Sequence, residues 1–414
     1  MNTTYRGTLA GAVSAFALAV ASTASAGGFG LKERSAIGQG LSFAGVTGGS
    51  AGIESMGWNP AAVTMVKEGT MISNGASAVQ PIAQGTSSAT GESLDADRFA
   101  GLANLYVAHR LDPDLWVGLS LFTPFGLVTA YDAGSVVQFD GLTSKLQTFQ
   151  LSPTVGIEPF DGVSFGLSAN ILYANARLTS AVVNLEGDQV SGGFSVGAMI
   201  DAIPNTKIGV AYDHGYDLTL GGSAQFGAAA AVLNPALAPL VGAQLSAEAS
   251  ASLPGTISGG IVHDFSDSFR MMGEVQYQLR SAFDSIDTEI LNPLGGTIPL
   301  VEEQNYEDAF FVAIGGEYDF NDALTVRAGA AWDQTPTIDG ANGRTVRVPD
   351  EDRIWLSLGG SYDLNDHTTI NAGYSYLFAL EDPVVTLRNG PAAGSTVTYD
   401  GGAHIFSIGA SMKF

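Results

Sequence analysis

The chain has 414 residues, of which 45% are hydrophobic and only 14% charged, with no cysteine and a formal net charge of −24. The absence of cysteine excludes disulfide scaffolds, thiolate metal sites and cysteine nucleophiles. The acidic balance excludes nucleic acid as a partner, because its phosphates would be repelled.

The chain opens on a secretory signal. Arg6 supplies the positive n-region, Leu9 to Val20 the apolar run, and Ala24, Ser25 and Ala26 the small residues before a cut at Gly27. The run is shorter than the roughly 20 apolar residues that cross a bilayer as a helix, so residues 1–26 are expected to be removed. Loss of Arg6 then leaves 41 acidic against 16 basic side chains, a net charge of −25. Residues 27–70 are rich in Gly, Ser and Ala with a few apolar anchors, Phe29, Leu31, Phe43 and Trp58, and are too short for a domain of their own.

From 71 to 414 the chain alternates with period two. Phe269, Met271, Gly273, Val275, Tyr277 and Leu279 share one face of a strand, and Arg270, Met272, Glu274, Gln276, Gln278 and Arg280 the other. Ile354, Leu356 and Leu358 alternate likewise with Arg353, Trp355 and Ser357, and Ile370, Ala372, Tyr374 and Tyr376 with Asn371, Gly373 and Ser375. One face suits lipid and the other water. Tight turns fall near Asp112-Pro113-Asp114, Phe160-Asp161-Gly162, Pro204-Asn205, Ser266-Asp267, Asn321-Asp322 and Asn365-Asp366, with longer polar connections between them. Six short turns against seven long loops give an all-β fold, a transmembrane antiparallel β-barrel of about fourteen strands with both termini periplasmic, in a bacterial outer membrane. The last strand carries Phe406, Ile408, Ala410 and Met412 on one face and ends on Phe414, as expected for recognition by a barrel-assembly machinery. Residues 27–70, tethered to the first strand, are predicted to fold back into the lumen as a hatch.

Two places in the barrel are irregular. The strand containing Leu115 to Leu121 runs into Thr123-Pro124-Phe125-Gly126, where Pro lacks a ladder donor and Gly weakens pairing, so the wall is expected to kink or open. The stretch from about Leu220 to Ala251 reads as the longest loop and is unusually apolar, with Phe226, Val232, Leu233, Leu237, Leu240, Val241 and Leu245. Asn234 caps and Pro235 opens a helix there, with Leu233, Leu237, Leu240, Val241 and Leu245 on one face, either packed on the rim or offered to an apolar substrate. The lumen-side charges Arg270, Glu274, Arg280, Glu317, Arg327, Asp333 and Arg353 read as cross-strand ion pairs. The five histidines show no metal-ligand spacing and no GxSxG occurs, so neither catalytic nor metal residues, and no cofactor, are assigned.

Several stretches, in order along nearly the whole mature chain, resemble the FadL-type long-chain fatty acid transporter family. They are Gly28-Phe29-Gly30-Leu31-Lys32-Glu33, Asn59-Pro60-Ala61, Thr123-Pro124-Phe125-Gly126-Leu127, Val348-Pro349-Asp350-Glu351-Asp352-Arg353 and Gly373-Tyr374-Ser375-Tyr376. The resemblance implies capture of an apolar substrate by outer loops, transfer to a pocket above the hatch, and lateral exit at a kinked third strand, Thr123 to Gly126. It places Phe29 in the substrate pocket, puts Asn59, Pro60 and Ala61 at the gate, and aligns Arg177 and Leu178 with pocket positions. It also exposes a departure, because Ser180 stands where the family is expected to carry a head-group Arg. The function expected is therefore passive uptake of hydrophobic compounds, long-chain fatty acids or else neutral hydrocarbons and aromatics, by a monomer in contact with bilayer and lipopolysaccharide. A nonspecific porin and an outer-membrane enzyme or adhesin are the rival readings.

Overall fold

The computed structural model of the protein describes residues 28–340 and 342–414. The expected signal, residues 1–26, lies outside the described residues. Among those described, fourteen antiparallel strands close into one barrel. The first six are β1 (Thr70–Ile82), β2 (Ala100–Asp112), β3 (Leu115–Phe122, resuming as Gly126–Ala130), β4 (Thr143–Phe160), β5 (Val163–Thr179) and β6 (Val183–Ile203). Four interrupted strands follow: β7 (Thr206–Asp213 and Tyr216–Phe226), β8 (Gln244–Leu253 and Thr256–Ser266), β9 (Phe269–Gln278 and Ser285–Leu291) and β10 (Thr297–Glu303 and Ala309–Asp319). The ring ends with β11 (Leu324–Asp333), β12 (Arg353–Asn365), β13 (Thr368–Ala379) and β14 (Gly402–Lys413).

The seam is a continuous ladder from Met71↔Lys413 to Ile82↔Gly402, extended by reciprocal backbone bonds between Thr70 and Phe414. Closure matters because an unpaired strand edge has no water to bond within the hydrocarbon layer. The alternation read from the sequence divides the two faces: Leu356 and Leu358 are 50% and 64% exposed while Trp355 and Ser357 between them are buried. No helix among the described residues is long and apolar enough to cross a membrane.

The six short turns are found where expected, at 113–114, 161–162, 204–205, 267–268, 320–323 and 366–367. Gly162 and Asn205 adopt positive φ, which a two-residue turn requires. The opposite end departs from the expected pattern. Two of its seven connections, 180–182 and 292–296, are short, because β5 and β6 and the upper halves of β9 and β10 extend as paired strands beyond the apolar band. The apolar stretch also shrinks: β7 runs to Phe226 and β8 begins at Gln244, so the connection is 227–243, and 380–401 is the longest. Four short strands, Gln84–Ser87, Ser93–Asp95, Val384–Thr386 and Thr396–Tyr399, form a separate sheet at this end, packed through Leu94, Val385, Val397 and Tyr399 onto Tyr131 and Val346.

Residues 28–69 are almost wholly buried and touch inward-facing residues around the ring. Helix α1 (Ala36–Gly40), capped by Ser35, lies against β12 and β13, the turn Gly52–Gly57 against β1 to β3, and the turn Pro60–Met65 against β2 to β6. Polar ties fix the segment: Trp116 donates to the Val66 carbonyl (2.7 Å), the Thr47 amide to Glu274 (3.1 Å), and Ser42 and Ser357 share a hydrogen bond (2.6 Å). Glu54 accepts from Ser35 and from Ser73 of β1. Small wall residues permit backbone-on-backbone contact. A Cβ on Gly329 would overlap the Leu41 carbonyl, and one on Gly209 the Thr47 carbonyl.

This contact is testable. Gly329→Val is expected to lower stability by roughly 1–3 kcal/mol, as overpacking does, and to make residues 28–69 protease-sensitive, whereas Gly101→Val, with open space around it, leaves both unchanged. Equal behaviour of the two variants in limited proteolysis and thermal unfolding would show that the segment is not held by this close approach.

Candidate functional site

The wall opens at β3. Its first half pairs with β2 from Asp112↔Leu115 to Leu105↔Leu121, but among the described residues the second half, Gly126–Ala130, pairs only with β4. Beyond Leu105, β2 continues to Ala100 paired with β1 alone. Between Phe122↔Gln150 and Gly126↔Gln147, three residues of β3 face two of β4, so the chain bulges out of the ladder. Pro124 has no N–H to lose, and Thr148 satisfies Phe125 from the β4 side by accepting its amide (3.1 Å) and donating to its carbonyl (2.6 Å).

Two further backbone groups of the bulge are taken by the N-terminal segment. Leu31 donates its amide to the Pro124 carbonyl (2.9 Å), and the Gly126 amide donates to the Phe29 carbonyl (2.8 Å), so residues 29–31 act as a short extra strand across the break. A third tie runs from the Gly28 amide to Asp350 (2.9 Å), whose carboxylate also holds Arg353. Phe29 is thereby fixed in an aromatic cluster, 4.6 Å from Phe283, 5.9 Å from Tyr306 and 6.0 Å from Phe125 between ring centroids.

Above Phe29 lies an apolar cavity of about 930 Å³, part of it open to solvent. Leu218 and Leu220 of β7, Leu146 of β4 and Leu178 of β5 line it, with Phe29 as floor and Arg347 and Val348 at its upper edge. The room comes from β8, which sets Ala251, Ala249 and Ala247 opposite Leu218, Leu220 and Gly222. Large residues on one strand and small ones on the next leave a space that Leu on both would fill. Arg347 is buried and engaged: it pairs with Glu302 (3.0 Å) and donates to Ser144 (2.9 Å).

The residues singled out in the sequence are dispersed. Phe29 and Leu178 line the cavity, but Arg177, on the opposite face of β5, is more than half exposed and paired with Glu186 (3.0 Å). Phe226, Leu237 and Leu240 pack in a separate cluster at the rim with Val183 and Ile290, while Leu233 and Val241 are exposed. Asn234 caps as expected, accepting from Ala236 (3.1 Å), but the chain forms a short α-helix, Ala228–Leu233, and a 3-10 turn, Pro235–Leu240, so no single continuous face results. Asn59 lies across the lumen on β6: it caps Ala61 (3.0 Å) and donates to the Thr47 and Ala198 carbonyls, leaving the bulge to residues 29–31. Pro60 and Ala61 abut Gly166 of β5. Thr123, Pro124, Phe125 and Gly126 form the bulge itself. The alanines of β8, Phe283 and Tyr306 were not anticipated, although Leu245, Ala247, Ala249, Ala251 and Leu253 alternate with polar residues at strand period.

The profile of the family described as "Outer membrane protein transport protein (OMPP1/FadL/TodX)" matches residues 17–414. The chain belongs to this family. The "Long-chain fatty acid transport protein" of Escherichia coli (strain K12) is 25% identical over 390 residues, covering 82% of this chain and 85% of that one. The "47 kDa outer membrane protein" of Pasteurella multocida (strain Pm70) is 27% identical over 367 residues, covering 80% and 82%. The fold is that of a Pseudomonas aeruginosa FadL homologue, with a TM-score of 0.80, 21% identity and 94% and 100% coverage. The Pseudomonas putida toluene transporter TodX gives a TM-score of 0.70 at 18% identity, covering 92% and 98%. As a FadL/TodX-family member this is an outer-membrane transport barrel, which accounts for a lipid-facing exterior combined with a filled lumen.

If the aromatic cluster holds the N-terminal strand in place, Phe29→Ala loses packing of the order of 3–5 kcal/mol. The expected outcome is faster amide hydrogen exchange at Leu31 and Gly126, the two donors across the break, in an otherwise intact barrel. Unchanged protection at both would mean that Phe29 does not hold them.

Proposed function

We propose that this FadL/TodX-family barrel is a passive import channel for hydrophobic compounds, long-chain fatty acids among them. The observation that carries the reading is the placement of one segment at two sites: Phe29 floors the apolar cavity, and the backbone of residues 29–31 closes the break in β3. Substrate enters past the exposed Val232 and Leu233 at the rim and settles among Leu218, Leu220 and Leu178. It leaves sideways between β2 and β3 when residues 28–31 withdraw, which makes the N-terminal segment a hatch and Phe29 its latch. Burial of apolar surface brings the substrate in, at about 25 cal/mol per Å², and its gradient sets the direction.

A second reading, import of neutral hydrocarbons or aromatics, draws support from the mostly apolar lining of the cavity, where Arg347 is spent on Glu302 and Ser144 and Arg177 is turned away, which leaves Lys145 as the one further cation of the lining. The fold shared with a toluene transporter agrees with it.

Uptake of labelled oleate and labelled toluene, in a strain lacking its own transporters, tests both. Ala249→Trp, which fills the cavity without touching residues 28–31, is expected to cut uptake of every substrate the protein carries by about tenfold or more, the loss of a few kcal/mol of binding. Undiminished uptake with a folded variant in the membrane would end the cavity reading. Toluene uptake with no oleate uptake would select the neutral class.

A further inference from the structure

Below Phe29 the lumen holds a second cavity of different character, about 560 Å³ including open space, bounded by Gly30 to Lys32, Trp58, the Pro124–Phe125 bulge and the lower halves of β7, β8 and β9. Three cations face it, Lys32, Arg34 and Arg280, against one acid, Asp213. In a chain with 17 basic and 41 acidic residues, that gathering is against the odds of composition.

None of the three makes an ion pair within 4.0 Å among the described residues. Lys32 is buried, donates to Gln276 (3.0 Å) and sits 3.9 Å above the Phe311 ring centre. Burial and the neighbouring arginines bring its ammonium down to about 8. Arg34 donates to the Leu31 (3.3 Å) and Gly57 (2.6 Å) carbonyls and lies over Phe122 and Trp58. Arg280 is 5% exposed, spends Nε and Nη2 on Gln278, and keeps Nη1 buried with no partner among the described residues. Of the surrounding acids, Asp213 accepts from Ser195 (2.8 Å) and Asn170 (3.2 Å), Glu33 takes the Lys32 amide (3.0 Å) on one oxygen, and Asp333, the acid whose charge acts most on Lys32 and Arg280, lies beyond ion-pair distance of both and faces Arg353 (3.8 Å).

Buried charge without a counter-ion in direct contact is costly, and a guanidinium N–H with no acceptor adds to that cost. An entering anion removes both penalties. A neutral hydrocarbon removes neither, and an aqueous inorganic anion cannot reach the cavity through apolar surface without losing its hydration. We infer that this compartment is a carboxylate station for an apolar acid, reached after the tail-lined cavity, in which Arg280, Arg34 and Lys32 hold the head group beside the β3 bulge on its way out. The inference rests on the channel reading of the cavity above. It places the discriminating charge at the exit, one aromatic layer below the apolar pocket.

The test compares oleate with oleyl alcohol, equal in chain and differing in charge. Binding to the purified full-length mature protein in detergent is read from the fluorescence of its tryptophans, of which Trp58 lines the compartment. Arg280→Gln and Lys32→Met are made separately, so that a folding failure of one leaves the other, with heat-modifiable migration as the check on the barrel. Each is expected to weaken oleate by roughly tenfold, the worth of a charge-assisted hydrogen bond, and to leave oleyl alcohol within about twofold. An unchanged oleate-to-alcohol ratio in the folded variants overturns the station, and so does an equal loss for both ligands. The channel reading fails separately, if Ala249→Trp leaves the binding of both ligands untouched.

Discussion

Every backbone N–H and C=O of this protein that lies at membrane depth must find a partner within the chain, since lipid offers none. Among the described residues most strand junctions meet that demand by ladder pairing, and the seam between β1 and β14 is continuous from Met71 to Ile82. The β2–β3 junction does not, because Pro124 and the extra residue of the bulge break register there. The chain meets the shortfall with its own N-terminus, whose Phe29 and Leu31 bond the bulge from inside. On the proposed route, a gap that must be filled and a filler attached to the lumen contents make opening of the wall and movement of residues 28–31 one event.

The same constraint explains why the rest of the N-terminal segment is an unsuitable moving part. Its turns are buried against wall glycines and tied to β1, β3, β6, β9 and β12 by hydrogen bonds that water could replace only if it flooded the lumen. Residues 28–31, by contrast, hold mainly through two strand-like bonds, one bond to Asp350, one from Arg34 to the Leu31 carbonyl, and the packing of Phe29 and Leu31. Free energies of that size are compatible with exchange between closed and open states at rest. Under the proposed reading, two cavities of opposite chemistry, apolar above the ring and cationic below it, give an amphiphile successive places that suit its tail and its head.

Much of this was legible in the chain. Barrel class followed from period-two alternation over nearly every segment, and the six turns were marked by Pro, Asn, Asp and Gly because those residues tolerate turn geometry. The β3 interruption was visible for the same reason, as Pro and Gly change the backbone itself. The extent of the upper strands was not: Gln244 to Leu253 alternates, but with alanine in place of large residues, and the apolar run before it drew the whole stretch into a loop. Phe226 and Leu240, readable in sequence either as rim packing or as a landing surface, pack at the rim. Arg177 and Leu178 are neighbours in sequence and opposite in the wall, a separation that depends on strand parity relative to the lumen.

Alone, then, the sequence determined export, strand period, turn positions and the weak point in β3, since each depends on side-chain type or backbone freedom within a few residues. Tertiary structure decided what occupies that weak point and which charges meet. Leu31 reaches Pro124 across 93 positions of sequence, and Lys32 meets Arg280 across 248, only because the barrel closes around the segment. No local pattern encodes such meetings; ring closure, strand register and the space left by small residues on β8 do.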